Sequence, residues 1–274
     1  MNLSSLKIAS EVIDQYAKLR SGILKKYVFN FTDLALKYGN YYASESSKFV
    51  NLTNDITPRF QDLANKIKEI NRHTSSNFNV FGLFSPGETM HSYIIAYLLN
   101  PLEAHGQDGL FLNVFLHKLG IENLNGQQNN WVVTSETGRI DILLKRTHPH
   151  SVVVIENKSN FAVDQPYQLY RYWYQEIYTP MKNRLVSSEI MLNPPMNNYQ
   201  LIYLSPEHWK MPTNNSLQKP LGWDSSLPST VPMKPIQYQF RHFIVDWLKE
   251  SYILLPEENT RIKEFVKQYI EYWS

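Results

Sequence analysis

An uninterrupted apolar run, Val152 to Ile155, is followed directly by Glu156, Asn157 and Lys158. Runs of this kind are typical of a central strand whose two faces are both covered. Alternate side chains of a strand share a face, so Glu156 and Lys158 point the same way while Asn157 points the opposite way. The sequence therefore predicts a charged pair at the end of a buried strand. Charges there are costly unless they are paired or bind a metal.

A second acidic residue, Asp141, lies in the apolar segment 139–144, which also predicts a strand. Strands disfavour aspartate, so an Asp in mid-strand needs a compensating partner. A divalent cation held by Asp141 and Glu156 would provide one, and Mg²⁺ prefers oxygen ligands and retains several waters. One such water could become a nucleophile that Lys158 holds or activates. Because Glu-x-Lys is a common pattern, a buried ion pair without chemistry stays open on these residues alone.

The rest of the chain alternates between helical and extended patterns, which predicts an α/β protein. Residues 4–48 carry a helical stripe and Pro58 is expected to open another helix, so we expect a helical extension over 1–75 and an α/β domain over 76–274. Residues 136–138 are expected to turn the 139–144 strand into a hairpin with the strand before it. Further elements are predicted as strands at 131–135 and 199–204, helices at 86–99, 109–119, 166–178, 240–250 and 257–273, and a long loop at 206–235.

Composition excludes several functional classes. The 274 residues contain no apolar run long enough to cross a membrane, so no membrane association is expected. A signal-peptide pattern and cysteine are both missing, which fits a cytoplasmic location and excludes thiolate metal ligands and a cysteine nucleophile. Motifs of nucleotide-binding loops, zinc proteases and serine hydrolases are also missing. The net charge of +2 gives no nucleic-acid signal, so such a role would need a local basic surface.

The segment that runs from Ser85 to Pro101 predicts the first helix of the α/β domain. Ser85 and Glu88 have the spacing of a capping box, with Pro86 at the first helical position. Glu88 is therefore either part of a helix cap or a carboxylate that reaches the metal site. His91, one turn later, is either a phosphate or water contact or a hydrogen-bonded structural residue. The local sequence favours the structural role for both.

The helix predicted after the Glu-x-Lys strand carries Gln168 and Tyr172, which are four residues apart and share a face. If this helix packs on the sheet, that face looks toward Lys158. Aromatic residues crowd the same segment; they can stack on bases, but they more often pack against a neighbouring element. His105 is expected to be a structural residue in a turn between helices.

Taken in order, these motifs resemble the PD-(D/E)XK nuclease superfamily, and most of all its bacterial branch with E-x-x-H-S on the first helix. No single block is specific, but the ordered series is, and it outweighs the structural alternatives. Ile140 stands where the superfamily's name has proline, as is common in divergent members. The matching blocks are Glu88-Thr-Met-His91-Ser92, Leu98-Leu99-Asn100-Pro101, His105-Gly106-Gln107, Phe111-Leu112 with Phe115-Leu116, Gly138-Arg139-Ile140-Asp141, Ile155-Glu156-Asn157-Lys158 and Gln168-Leu169-Tyr170-Arg171-Tyr172.

The resemblance implies a restriction-endonuclease-like α/β core, with a mixed central sheet of four or five strands flanked by helices. It implies that Mg²⁺ or Mn²⁺ is bound by oxygen ligands from two strands and the first helix. Glu88 would bind this metal either directly or through a water molecule. The implied ligands are Asp141, Glu156, the backbone carbonyl of Asn157, and Glu88.

The same resemblance assigns roles to the other site residues. Lys158 would position the attacking water and stabilise developing charge, and Gln168 with Tyr172 would order the site. His91 is a further candidate for a substrate contact or for support of the site. Arg139 is either a phosphate contact or half of a structural ion pair.

Two functions are consistent with these implications. The first is a metal-dependent nuclease with DNA as the favoured substrate, acting in phage defence or mobile-element biology. The alternative is a catalytically inactive nuclease-like scaffold that binds nucleic acid or a protein partner. The intact acidic set favours the enzyme, because a scaffold need not keep charges at a costly edge. The helical stripe of residues 4–48 could pack on the body or form a homodimer with a second copy.

Overall fold

The computed structural model describes residues 3–121 and 130–274, with side chains described from residue 10 onward in those ranges. The chain divides into two units, Met1–Asn77 and Phe78–Ser274. In the described ranges, no helix has both the length and the apolar character that a membrane crossing requires.

The first unit contains one long helix, α1 (Leu3–Thr74). Pro58 lies inside this helix, so the prediction that Pro58 opens a second helix is wrong. An interior proline removes a backbone hydrogen bond and costs about 3 kcal/mol, and the turns on both sides must offset that cost. Part of the offset comes from pairs of an acidic residue with a basic residue four positions later, each contributing about 0.3–0.5 kcal/mol. These pairs include Asp33–Lys37, Asp55–Arg59 and Asp62–Lys66.

The second unit is built on a five-stranded sheet with the strand order β1-β2-β3-β4-β5. The first three strands are antiparallel neighbours, whereas β3, β4 and β5 run parallel to one another. The mixed sheet expected from the sequence is confirmed, with β5 as an additional short edge strand. The strands are β1 (Trp131–Thr137), β2 (Ile140–Arg146), β3 (Ser151–Asn157), β4 (Tyr199–Ser205) and β5 (Ile236–Gln239).

Helices cover both faces of this sheet. One face packs on α3 (Glu88–Leu99), α4 (Leu110–Lys118), α9 (Val245–Leu254) and α10 (Thr260–Trp273), with the short α2 (Val80–Phe84) against α10. The other face packs on α5 (Gln168–Tyr172), which continues through a π-helical turn (Trp173–Tyr178) into α6 (Thr179–Asn183), and on α7 (Ser188–Leu192). The predicted long loop contains the short α8 (Asn214–Leu217), and a second π-helical turn (Phe240–Ile244) leads into α9.

Strand β3 is the central element that positions the site. All seven of its residues are buried, as the apolar run predicted. Val153 and Ile155 belong to the apolar cluster on the α3 face, whereas Val152 and Val154 belong to the cluster on the α5 face. Because both faces are covered, the end of β3 carries its side chains into a buried environment.

Candidate active site

Asp141 and Glu156 lie opposite each other at the ends of β2 and β3. Ile142 pairs with Ile155 in the antiparallel register, so the next opposed positions are Asp141 and Glu156. The backbone N–H of Asn157 donates to Asp141 Oδ2 at 2.6 Å, which fixes the aspartate against the end of β3. The structure thus brings together the two carboxylates that the strand patterns place on neighbouring strands.

Lys158 lies on the same side of β3 as Glu156. Its Nζ is 2.5 Å from Glu156 Oε1, and the two side chains are only 6% and 1% exposed. Asn157 turns the opposite way, toward α3, where its Nδ2 donates to the Glu88 carbonyl at 2.9 Å and to Ser92 Oγ at 3.0 Å. The alternation predicted for these three positions is therefore confirmed.

Burial dominates the protonation equilibria in this cluster. Burial raises the pKa of Asp141, and the negative charge of Glu156 raises it further. Burial also raises the pKa of Glu156, against the opposing effect of Lys158. On Lys158 burial works against the charge, but Glu156, Asp141 and Glu88 outweigh it and raise its pKa. The buried Glu156 and the half-buried Asp141 therefore share one ammonium, and a divalent cation would favour the ionised form of both carboxyl groups.

Glu88 begins α3, but it does not form the predicted capping box. The N-cap is Gly87, without a side-chain cap, and Ser85 ends α2 in a left-handed conformation with φ 45°. The Glu88 carboxylate instead accepts the backbone N–H groups of Asn160 at 3.0 Å and Ala162 at 3.2 Å. This residue therefore lies at the loop that follows the Glu-x-Lys strand, and its role as a carboxylate that reaches a metal stays a prediction.

The two histidines singled out in the sequence are both buried. His91 Nδ1 is 2.8 Å from the Tyr269 hydroxyl, and burial lowers the pKa of His91 to about 4. His105 Nε2 lies 2.9 Å from the Asn100 carbonyl, and its Nδ1 accepts the backbone N–H of Gln107 at 3.0 Å. His105 therefore has the structural role expected for it. The fully buried ring of His91 has no surface for a substrate, which leaves support of the site as its candidate role.

Gln168 and Tyr172 form the hydrogen-bonded pair that their spacing suggests. Gln168 Nε2 donates to the Tyr172 hydroxyl at 2.9 Å, and that hydroxyl donates to the backbone carbonyl of Arg139. Helix α5 is thereby tied to the turn between β1 and β2. Burial and then the nearby Glu156 carboxylate raise the pKa of Tyr172.

Arg139 itself is exposed at this turn. Its guanidinium forms no ion pair with any residue in the described part of the chain. Of its two interpretations, the structural ion pair is therefore not found, and a phosphate contact stays a prediction.

Sequence reasoning missed one carboxylate near the site. Glu136 had been placed in the hairpin turn, but β1 continues to Thr137, and the hairpin register puts Glu136 opposite Asp141. Partial burial and then the charge of Glu88 raise the pKa of Glu136. The signal that would have revealed it is the register itself, which pairs Ser135 with Ile142.

The donors at this site fit a hard divalent cation. Both carboxylate oxygens of Glu156 are buried, and Oε1 forms an ion pair with Lys158. Among the residues that the structure describes, no three His, Asp or Glu side chains gather as a metal cluster. A cation here would therefore take two carboxylates and complete its coordination with backbone and water oxygens, as Mg²⁺ usually does.

A mixed five-stranded α/β sheet of this order, flanked by helices and carrying acidic residues at the ends of two adjacent strands, defines a restriction-endonuclease-like protein. A family model described as the PD-(D/E)XK nuclease superfamily matches residues 78–271. The chain belongs to this superfamily, and the matched range begins at the first residue of the second unit. Comparisons with curated proteins and with solved structures found no match.

Proposed function

We propose that this protein is a metal-dependent nuclease that hydrolyses phosphodiester bonds in DNA. The observation that carries the proposal is the convergence of Asp141, Glu156 and Lys158 at the buried end of β3, with Lys158 Nζ 2.5 Å from Glu156 Oε1. Membership of the superfamily supports nuclease chemistry for this cluster. A structural ion pair would need only one carboxylate, and the second one remains without a counter-charge.

The metal ligands in this proposal are oxygen atoms from α3, β2 and β3. A bound Mg²⁺ or Mn²⁺ would supply an activated water and would stabilise charge on the phosphate. The proposed ligands are Asp141, Glu156, the Asn157 carbonyl and, directly or through water, Glu88.

Lys158 would act through its positive charge. Its ion pair with Glu156 keeps the side chain protonated, so it cannot serve as a general base at neutral pH. A buried ammonium can hold the attacking water by a hydrogen bond and stabilise negative charge that develops on the phosphate oxygens. Gln168 and Tyr172 would act as positioning residues, because their hydrogen bonds fix α5 against the β1–β2 turn beside Glu156.

Cleavage assays test this proposal directly. Single- and double-stranded DNA and RNA are incubated with Mg²⁺ or Mn²⁺ and either wild type or Lys158→Ala. We expect the wild type to cleave DNA and the variant to cleave it at least about 100-fold more slowly, since one electrostatic group of this kind contributes roughly 10²–10³ in rate. Lys145→Ala is the matched control, because Lys145 is an exposed β2 lysine paired with Glu176. Equal rates for wild type and Lys158→Ala would reject the proposal.

Titration calorimetry with Mn²⁺ separates the enzyme from the inactive scaffold. The enzyme should bind Mn²⁺, and Asp141→Ala and Glu156→Ala should each remove the binding while Lys158→Ala retains it. A folded wild type that binds no Mn²⁺ would favour the scaffold that only holds nucleic acid or a protein partner.

We also propose a cytoplasmic role in defence against phage or mobile elements, in line with the bacterial branch that the motifs resemble. Cells that express the wild type should show fewer plaques than cells that express Lys158→Ala at the same protein level. Equal plaque numbers for several unrelated phages would count against the defence role but would leave the proposed nuclease activity unaffected.

A further inference from the structure

Phe161 and Trp209 form a stacked aromatic pair on the surface close to the proposed active site. Their ring centroids are 5.2 Å apart and their planes differ by 9°. The side chains are 43% and 63% exposed, and Phe161 follows Lys158 by three residues. Single exposed aromatics are ordinary on protein surfaces, but these two stack on each other beside a charged site and still leave much of their ring surface open to solvent.

Phe161 is held in place by the backbone around it. Its φ of 61° is left-handed, which is unusual for a bulky side chain and costs about 1–2 kcal/mol. Its N–H donates to the Lys158 carbonyl at 2.9 Å. The N–H groups of its two neighbours, Asn160 and Ala162, both donate to the Glu88 carboxylate. The strained residue is thus bracketed by bonds to a proposed metal ligand, and strain of this kind persists only where the surroundings enforce it.

Trp209 has an anchor of its own. It lies in the loop after β4, and Gln237 of β5 donates its Nε2 to the carbonyls of His208 at 2.9 Å and Lys210 at 3.0 Å. These are the residues on either side of Trp209. Both loops are therefore tied to the body of the fold, so the aromatic pair is positioned before any ligand arrives, which lowers the cost of binding.

We propose that Phe161 and Trp209 form a stacking platform for an unpaired nucleobase next to the scissile phosphate. This inference rests on the proposed nuclease function and specifies its substrate as single-stranded DNA, or as duplex DNA with an unpaired base at the site. Flat aromatic surface suits any base, because every base has a π-face. A base inside an intact duplex is already stacked on both sides, so it cannot use the platform without leaving the helix.

Fluorescence titration tests the platform separately from cleavage. Wild type in EDTA, which prevents metal-dependent cleavage, is titrated with oligothymidylate and with a blunt duplex of equal length. We expect the single strand to quench tryptophan emission and to bind more tightly than the duplex. Most of the change should come from Trp209, which is the most exposed of the six tryptophans: Trp131, Trp173 and Trp247 are almost fully buried, and Trp223 and Trp273 are half-buried.

Three variants define the contribution of the pair. Trp209→Ala and Phe161→Gly should each weaken single-strand binding by roughly 5- to 150-fold, the range of one lost base–aromatic stack. Glycine is chosen for position 161 because it accepts a φ of 61° without strain. Trp209→Phe should retain most of the affinity but lose the fluorescence change, and binding is then followed by anisotropy of a labelled oligonucleotide.

Phe84→Ala is the matched control, since Phe84 is 75% exposed but belongs to α2. Unchanged single-strand affinity in Trp209→Ala and Phe161→Gly, with their circular dichroism intact, would overturn the platform even if the wild type cleaves DNA. Equal binding of duplex and single strand would overturn it as well. If single-strand quenching is present but no cleavage occurs with Mg²⁺ or Mn²⁺, the nuclease proposal fails, whereas the binding of an unpaired base by Phe161 and Trp209 stands.

Discussion

At the scale of single residues, the surroundings of Asp141 oppose the ionisation of its carboxyl group when no metal is bound. Its carboxylate is largely buried beside Glu156, and only one of its oxygens has a recorded donor, the Asn157 N–H. We predict that Asp141→Asn abolishes cleavage and Mn²⁺ binding but raises the free energy of unfolding in EDTA by about 1–2 kcal/mol, because it removes one of two repelling carboxylates while keeping an acceptor for that N–H. Urea unfolding measures the change.

Saturating Mg²⁺ should shrink or reverse this gain, because a ligand that binds only the folded wild type stabilises it alone. Asp246→Asn, an exposed position on α9, is the control and should change stability by less than about 0.5 kcal/mol. A loss of stability in Asp141→Asn without metal would show that the carboxylate is already compensated within the fold.

His91 gives a prediction about acid. Burial lowers its pKa to about 4, whereas an unfolded histidine titrates near 6.5. Below pH 6.5, His91 becomes protonated in the unfolded chain but stays neutral in the folded protein. The free energy of unfolding therefore falls as the pH falls from 6.5 toward 4. The loss reaches at most about 3.5 kcal/mol at 1.4 kcal/mol per pH unit. In urea unfolding between pH 4 and 7, the free energy of unfolding should change less steeply with pH for His91→Gln than for wild type.

His117→Gln, an exposed position at the end of α4, is the control for that slope. Only the difference between the two variants reports on His91, because burial also lowers the pKa of the less buried His150. If stability falls equally steeply with pH in wild type and His91→Gln, the pKa of His91 is not lowered in the folded protein.

The sequence predicts a site residue well when residues near it in the chain set its position. The meeting of Asp141 and Glu156 follows from two local patterns, since alternation along each strand needs only neighbouring residues. The position of Glu136 depends on where the hairpin turns, and the pairing of both strands sets that turn, not the residues next to Glu136 alone. Phe161 and Trp209 could not be paired from sequence, because their loops are brought together only by the complete sheet.

At the scale of elements, the side chain of Asn157 links β3 to α3. Its Nδ2 donates to the Glu88 carbonyl and to Ser92 Oγ, and its Oδ1 accepts the N–H of Ser159 at 2.9 Å. We predict that Asn157→Ala lowers the free energy of unfolding by about 2–3 kcal/mol, since the buried N–H of Ser159 loses its acceptor and the Glu88 carbonyl and Ser92 Oγ each lose a donor. Cleavage should fall too, because Glu88 and the loop after β3 would lose a shared anchor.

Asn198→Ala is the control for this link, since within the described residues the Asn198 side chain donates one hydrogen bond, from Nδ2 to Ser151 Oγ at 3.1 Å. Its cost should be nearer 1 kcal/mol. Equal costs in urea unfolding for the two variants would show that the connection between β3 and α3 does not depend on Asn157.

The elements themselves were predictable where hydrophobic periodicity is strong. The end of α3 at Leu99 and the burial of β3 agree with the sequence patterns. Strand β5 was missed because four alternating residues form a strand only by pairing with β4, which is distant in sequence. The continuation of α1 through Pro58 opposes the local preference of proline, so the sequence pattern pointed to a break that does not occur.

At the scale of the whole molecule, the two units differ in how their apolar side chains are used. Every buried apolar side chain in the described residues belongs to the second unit, from Phe81 onward. We predict that residues 78–274, produced alone, unfold in a cooperative thermal transition and still cleave DNA. A truncated protein with no cooperative transition would show that the first 77 residues are needed for folding.

Helix α1 instead exposes a long apolar stripe. Its members recur every three or four residues, as on one face of a helix. Burying even half of them would remove on the order of 800 Å² from each partner, the size of a standard interface. We therefore keep the homodimer through the N-terminal helices as a proposal. Stripe members include Tyr16, Leu19, Ile23, Leu34, Tyr38, Leu52, Ile56, Leu63, Ile67 and Ile70, each between 37% and 67% exposed.

The stripe makes the dimer testable by two substitutions. Leu52→Arg with Leu63→Arg places two charges on the apolar face and should convert the dimer to a monomer in sedimentation equilibrium, because a charge buried in an apolar interface is costly. Asn54→Arg with Gln61→Arg adds the same charges about half a turn away from that face, and this control should stay dimeric. If the wild type sediments as a monomer at tens of micromolar, the homodimer is wrong, and the stripe must be covered in some other way.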